Sequence, residues 1–214
     1  DLHLSIRRQR QMCIRDRAFI VEARGRERIE DEYQIEIVVP TGFPDALPTV
    51  RETSARIPAS FHKLDDGALC LGSPTRLRLI ALRSRSLVGF VDRCVVPYLY
   101  SYSYFERHGV PAFGELDHGA RGIRQDFSSL FGVEEEGTVR EFLRLTSLRK
   151  RLANKQACPC GGPRRLGRCH QRRVNSLRRR LGRQWFRGWY AILSRDTAHR
   201  HQDRALPGSR GATS

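Results

Sequence analysis

The sequence predicts an α+β fold, an antiparallel β-meander with following helices, plus a small C-terminal zinc motif. Three observations carry that reading. Apolar residues alternate along residues 33–39, prolines crowd positions 40–48, and from Leu82 onward apolar residues recur at intervals of three and four.

Residues 18–23 (AFIVEA) are rich in branched aliphatics and predict the first strand. In residues 33–39, Tyr33, Ile35, Ile37 and Val39 fall on one face and Gln34, Glu36 and Val38 on the other, the period of a half-buried strand. The charged stretch RGRERIEDE between them reads as a hairpin connection. Pro40, Gly42, Pro44 and Pro48 then interrupt any ladder, because each proline lacks an N–H donor. A third short strand is expected near 49–52. Pro58, Asp65-Asp66-Gly67 and Pro74 punctuate residues 53–75, which predict a long irregular segment with a brief extended piece at 68–71. Segments of that length usually carry function. Over residues 82–107, Leu87, Phe90, Val91, Cys94, Val95, Tyr98, Leu99 and Tyr102 predict an amphipathic helix, bent or interrupted at Pro97. Further helices are predicted at 119–131 (Ile123, Phe127, Leu130, Phe131) and 138–153 (Val139, Phe142, Leu143, Leu148).

Residues 1–17, ending in MCIRDR, read as a non-native segment resembling translated sequencing-adapter read-through, and fold reasoning starts after them. An α+β domain is expected at 18–135, a helical linker at 136–156, the zinc motif at 157–172, and a basic helix with a disordered tail at 173–214. The tail expectation rests on the loss of any sustained apolar period after Tyr190. No apolar run approaches the ~18–20 residues that span a bilayer, so no membrane partner is expected.

The formal net charge of +16 is unevenly placed. Residues 142–195 hold 16 Lys or Arg and no acidic residue, whereas residues 18–141 hold 15 against 19 Asp or Glu. Arg164, Arg165, Arg168, Arg172, Arg173, Arg178, Arg179 and Arg180, followed by Trp185, Phe186 and Trp189, could grip phosphates and stack on bases. Any nucleic-acid affinity is therefore expected within residues 142–195. Equally, Val174, Leu177, Leu181 and Trp185 share helical spacing and would dock on the main domain, leaving a solvated basic face.

Residues 158–170 read CPCGGPRRLGRCH, a Cys-x-Cys pair followed by Cys-His. Cys158, Cys160, Cys169 and His170 form a closed Cys₃His set, the donor chemistry of a structural zinc site with no open position for catalysis. Pro159 and Gly161-Gly162 supply the tight turns that bring two thiolates to one ion. With metal-bound thiolates and no signal-peptide pattern, a reducing compartment, the cytoplasm, is expected. This stretch resembles the SEC-C motif, a zinc-binding module appended to bacterial proteins, with Gly162-Pro163 where a Gly-Ser-Gly run is usual. The resemblance implies a bound zinc ion and an adaptor role toward a protein partner.

The second constellation is IPASFHKLDDGALCLG over residues 57–72. Cys70 follows an Asp-Gly turn rather than sitting on a periodic apolar face, and a folded-back loop would bring His62 toward its thiol. Such a thiol becomes a nucleophile when a neighbour favours its thiolate, and His62 and Lys63 are the local candidates. Cys94, by contrast, falls at core spacing. Glu106, His108, Glu115, Asp117 and His118 form a further polar group that could border Cys70 or bind a metal.

The order of these features resembles the ubiquitin-conjugating (E2) fold family: strands, then Pro40, Phe43, Pro44 and Pro48 as P-x-x-F-P-x-x-x-P, then a His, then D-G-x-L-C-L around Cys70, then helices. The divergent bacterial E2-like proteins are the closer comparison. The resemblance implies that Cys70 accepts a ubiquitin-like carrier protein as a thioester from an activating enzyme, with His62 matching the His of the family's His-Pro-Asn tripeptide. Asp65 or Asp66 would help deprotonate the incoming amine. The family's Asn falls at Leu64, which has no donor, and loss of one oxyanion donor costs about 10²–10³ in rate. That departure leaves a second reading, a noncatalytic binding module of the same fold.

Overall fold

The computed structural model describes residues 11–12, 17–22, 25–113 and 119–205. It divides into two compact units, residues 1–116 and 117–214.

In the first unit, β2 (Arg17–Glu22) pairs antiparallel with β3 (Arg28–Tyr33). After the single residue Gln34, β4 (Ile35–Val38) pairs with β1 (Gln11–Met12) on one side and β5 (Thr49–Glu52) on the other. The expected single meander is thus two small antiparallel sheets, but the burial parity runs unbroken from one to the other. Ile29, Tyr33, Ile35 and Ile37 all point inward, so β3 and β4 behave as one long strand that changes neighbours at Gln34. The carbonyl of Gln34 accepts the Thr53 N–H at 2.9 Å just past the end of β5.

The stretch read as a hairpin connection, residues 24–32, contains most of β3. Its charges disguise the alternation because Asp31 shares the inward parity of Ile29 and Tyr33. Asp31 is tolerated there because Arg56 grips it through two bonds of 2.8 Å and Ser103 Oγ donates to it at 2.8 Å. Burial acts to raise its pKa, yet those bonds outweigh it and hold the carboxyl at about 2. Arg56 also bonds Glu106 at 2.6 Å and stacks 4.4 Å over the Tyr33 ring. One guanidinium therefore joins the strand, the loop after β5 and the helix that follows.

Helix α1 (Pro74–Ser84) was not foreseen, although its start signal is explicit: Ser73 caps the Arg76 N–H and Pro74 occupies the first turn, where its missing donor costs nothing. The expected helix over 82–107 begins at α2 (Leu87–Phe90), widens into a π-helical turn at Val91–Val95, and continues as α3 (Val96–His108). The widening sits immediately before Pro97, whose lack of an N–H removes one rung of the ladder. Phe90, Val95, Leu99 and Tyr102 bury against Ile29, Tyr33, Ile37 and Val50 in one core. Each such side chain contributes about 1.5–3 kcal/mol.

The second unit is helical: α4 (Gly119–Phe131), α5 (Glu136–Ser147), α6 (Lys150–Ala153), a 3₁₀ turn at Leu166–Arg168, α7 (Gln171–Leu181) and α8 (Arg183–Ala205). The helix expected over 138–153 is two, separated where Leu148 turns to extended geometry. Phe127, Phe131, Phe142, Leu143, Val174, Leu177, Leu181 and Phe186 are buried here. The apolar stripe of α7 therefore lies within this unit's own core. The chain after Tyr190, expected to be a disordered tail, continues as α8 through Ala205, with Leu193 buried. A weak apolar period conceals it, since few anchors hold its inner face. Among the described residues no helix is long and apolar enough to cross a membrane.

Candidate functional site

The four predicted metal ligands converge. Sγ of Cys158, Cys160 and Cys169 and a ring nitrogen of His170 all lie within 4.8 Å of one another. Cys160 and Cys169 sulfurs are 3.7 Å apart, and His170 Nδ1 is 3.2 Å from both Cys158 and Cys169. A Zn–S bond of about 2.3 Å sets a tetrahedral edge of about 3.8 Å, so the sulfur spacing suits a single ion of that size.

The local fold explains the convergence. A bridge pairs Ala157 with Arg165, and the Cys158 N–H donates to the Arg164 carbonyl at 3.1 Å, closing a small hairpin. Gly161 at φ 79° makes the reversal that a side chain would strain. The 3₁₀ turn then delivers Cys169 at its end and His170 at the N-cap of α7. Leu166 is fully buried, and the His170 ring meets Phe142 of α5 edge-on at 5.3 Å. The metal loop is thereby seated on the helical core.

Main-chain donors point at the sulfurs. Burial pushes the Cys158 thiol up to about 11, opposed by the N–H groups of Cys160 and His170. The Gly162 N–H lowers the Cys160 thiol. Sulfurs that accept N–H bonds are prepared to act as thiolates, and a cation at their centre would offset the burial of Cys158. Donor set, spacing and oriented amides all fit a metal ion.

The Cys70 region is a separate structure in the first unit. Lys63 and Leu69 pair across a tight hairpin, the Leu64 N–H bonds the Ala68 carbonyl at 2.8 Å, and Gly67 at φ 79° closes the turn. That register sets His62 opposite Cys70, whose N–H donates to the His62 carbonyl at 2.8 Å. The structure therefore brings the main chains of His62 and Cys70 together, with His62 at φ 42° and its ring edge-on to Phe61 at 5.1 Å. Asp65 and Asp66 sit at the exposed tip. Asp66 caps the turn at the Ala68 N–H and pairs with Arg51 at 3.0 Å.

Cys70 is half-buried, whereas Cys94 is buried and burial raises its thiol to about 11. The hairpin is held from two sides. Tyr98 of α3 donates to the carbonyls of Phe61 and His62 at 2.8 and 3.2 Å. Glu52, with a fully buried side chain, accepts the N–H groups of Ser54, Arg56 and Ile57 and lies 3.7 Å from Lys63 Nζ. Sequence reasoning missed both anchors; a lone acid at the end of a strand and a tyrosine at core spacing carry no local signal of their partner. Leu64, next to the bridge at Lys63, is 52% exposed. No hydrogen bond reaches Cys70 Sγ among the described residues. Glu106 and His108 are engaged with Arg56 and Glu27, while Glu115, Asp117 and His118 lie outside the described residues.

No family model, curated protein or solved structure matches the chain.

Proposed function

We propose that the first unit is an E2-like carrier of the ubiquitin-conjugating fold that holds a ubiquitin-like protein as a thioester on Cys70, and that the second unit is a SEC-C-type zinc module serving as an adaptor. The observation that carries the reading is Cys70 itself: half-buried, paired with His62 across a hairpin anchored by Tyr98 and Glu52. A thioester cysteine must meet two macromolecules in turn on a loop that does not yield. The Cys70 thiolate attacks the carrier's terminal thioester carbonyl, forming a new C–S bond as the activating enzyme's thiolate departs. A lysine amine then attacks that carbonyl, Cys70 leaves as thiolate, and the amine's proton passes to His62 or water. His62 takes this role before Asp65 or Asp66 because its main chain pairs directly with that of Cys70, whereas the two carboxylates sit at the exposed tip.

For the ion, a closed set of three sulfurs and one imidazole selects zinc over oxygen-preferring cations, and leaves no coordination position for substrate. Zinc here orders the loop that α7 starts from and takes no part in transfer.

One observation favours a second reading. The exposed aliphatic Leu64 supplies no oxyanion donor, which suits a noncatalytic module that binds a carrier without loading it. Expression of the full chain with its genomic neighbours separates the two. Loading gives a thiol-sensitive adduct on Cys70 that Cys70→Ser converts to a thiol-resistant oxyester, with Cys94→Ser unchanged. Carrier binding with no adduct on either form refutes the enzyme.

A further inference from the structure

The arginines of α7 and of the metal loop fall into two sets. Two on α7 cap other helices: Arg173 donates to the Phe131 carbonyl at the end of α4 at 2.8 Å, and Arg178 donates to the Thr146 and Leu145 carbonyls at the end of α5 at 3.0 and 2.9 Å. These cations sit where helix carbonyls lack partners and the dipole favours positive charge. They hold the fold, Arg178 half-buried and Arg173 exposed.

The others are exposed. A helix advances about 100° per residue, which places Arg172 and Arg179 about 140–160° from Val174 and so opposite the buried Val174, Leu177 and Leu181. Arg180 borders the same face, and Arg164, Arg165 and Arg168 extend the charge through the metal loop immediately before the helix; all are exposed. No ion pair engages them among the described residues; Glu136 and Asp196 pair with Arg124, and Glu141 pairs with Arg144. The nearest acids in sequence are Glu141 and Asp196. The field is felt inside the unit: burial and then repulsion from Arg183 lower the Arg178 guanidinium below its ordinary value. A face kept this positive, without counter-charge, destabilises the free protein and is relieved by an anion.

We propose that the outward face of α7 together with the metal loop is a nucleic-acid backbone-binding surface. Arg172 and Arg179 stand about 10.5 Å apart along the helix, a length over which a duplex carries about six phosphate charges. Every cation named on the face is arginine, whose planar fork bonds phosphate oxygens in pairs. On α8, Trp185 and Trp189 lie half-buried with ring centroids 6.1 Å apart, and Trp189 also packs on Phe127 at 6.3 Å. An acidic protein surface offers its carboxylates at lower density than a nucleic-acid backbone offers phosphates.

The test uses the zinc-loaded full chain and fluorescence anisotropy with a labelled 20-nucleotide single-stranded RNA and a labelled 20-base-pair DNA duplex. With about four phosphate contacts, affinity falls about 50-fold for the single strand and about 150-fold for the duplex between 50 and 200 mM salt. The stronger binder identifies the strand form. Arg172→Glu with Arg179→Glu lowers affinity at least tenfold and flattens the salt slope, and Arg172→Gln with Arg179→Gln does so by a smaller factor. The same charge change on the first unit, Arg83→Glu with Arg93→Glu, leaves affinity within threefold. Metal content and helical circular dichroism verify that each variant is folded. Equal weakening by the two charge-reversed pairs, a salt-independent affinity, or competition by poly-glutamate as effective as by unlabelled RNA overturns the assignment, the last in favour of an acidic protein partner.

Discussion

Gly167 lies in the 3₁₀ turn that delivers Cys169, and its N–H donates to the Asn154 carbonyl at 3.1 Å. A Cβ at this position would stand 2.8 Å from that carbonyl oxygen and 3.0 Å from Asn154 Cβ. Neither is the free end of a flexible side chain, so Gly167→Ala forces the loop away from α6. Overpacking of this kind costs about 1–3 kcal/mol. Reduced freedom of the unfolded chain returns about 0.4–1 kcal/mol. The balance is a loss of about 1–2 kcal/mol, and because ordering of the loop and metal binding are one equilibrium, it appears as metal affinity weakened about 5- to 30-fold. Competition against a chromophoric zinc chelator reads this directly. Gly162→Ala is the control: its Cβ would meet Cys160 Sγ at an ordinary 3.7 Å, and its affinity stays within twofold. Equal affinities for Gly167→Ala and the parent chain would refute the reasoning, since the loop would then be free to shift at no cost.

Cys169→Ser removes one of four ligands and is expected to release the ion; amide exchange should then rise across residues 156–172 while the first unit's exchange pattern is preserved. Full zinc retention by that variant refutes the ligand set. Arg56→Ala strands Asp31, whose carboxyl is held at about 2 against an ordinary 3.8. A depressed acid stabilises the fold above its unfolded pKa and loses that stabilisation as pH falls through the folded one. The parent chain therefore loses about 2 kcal/mol between about pH 4 and pH 2 on this account, and Arg56→Ala flattens that part of the urea-denaturation profile. An unchanged acid limb in the variant counts against the pairing.

The metal ligands were legible because three sulfurs and an imidazole at close spacing have few other uses, and local turns suffice to join them. The strand pattern at Tyr33, Ile35 and Ile37 was legible for the same reason: period two is a local property. β3 was hidden by Asp31, an inward charge made acceptable only by Arg56, 25 positions away. α1 was overlooked although Ser73-Pro74 announced it, because the prolines and glycines around it favoured a loop. The basic sequence after Glu141 gave a correct location for the charge but no division of labour. Only the fold shows that Arg173 and Arg178 cap helices while Arg172 and Arg179 face outward.

Glu52 holds the segment after β5 through the amides of Ser54, Arg56 and Ile57 and through the Ser54 hydroxyl, which also donates to it. One carboxylate therefore carries four tethers, three of them to main-chain N–H groups that any residue but proline supplies. A substitution at Ser54 gives up one tether and leaves the amides in place, while one change at Glu52 releases all four at once.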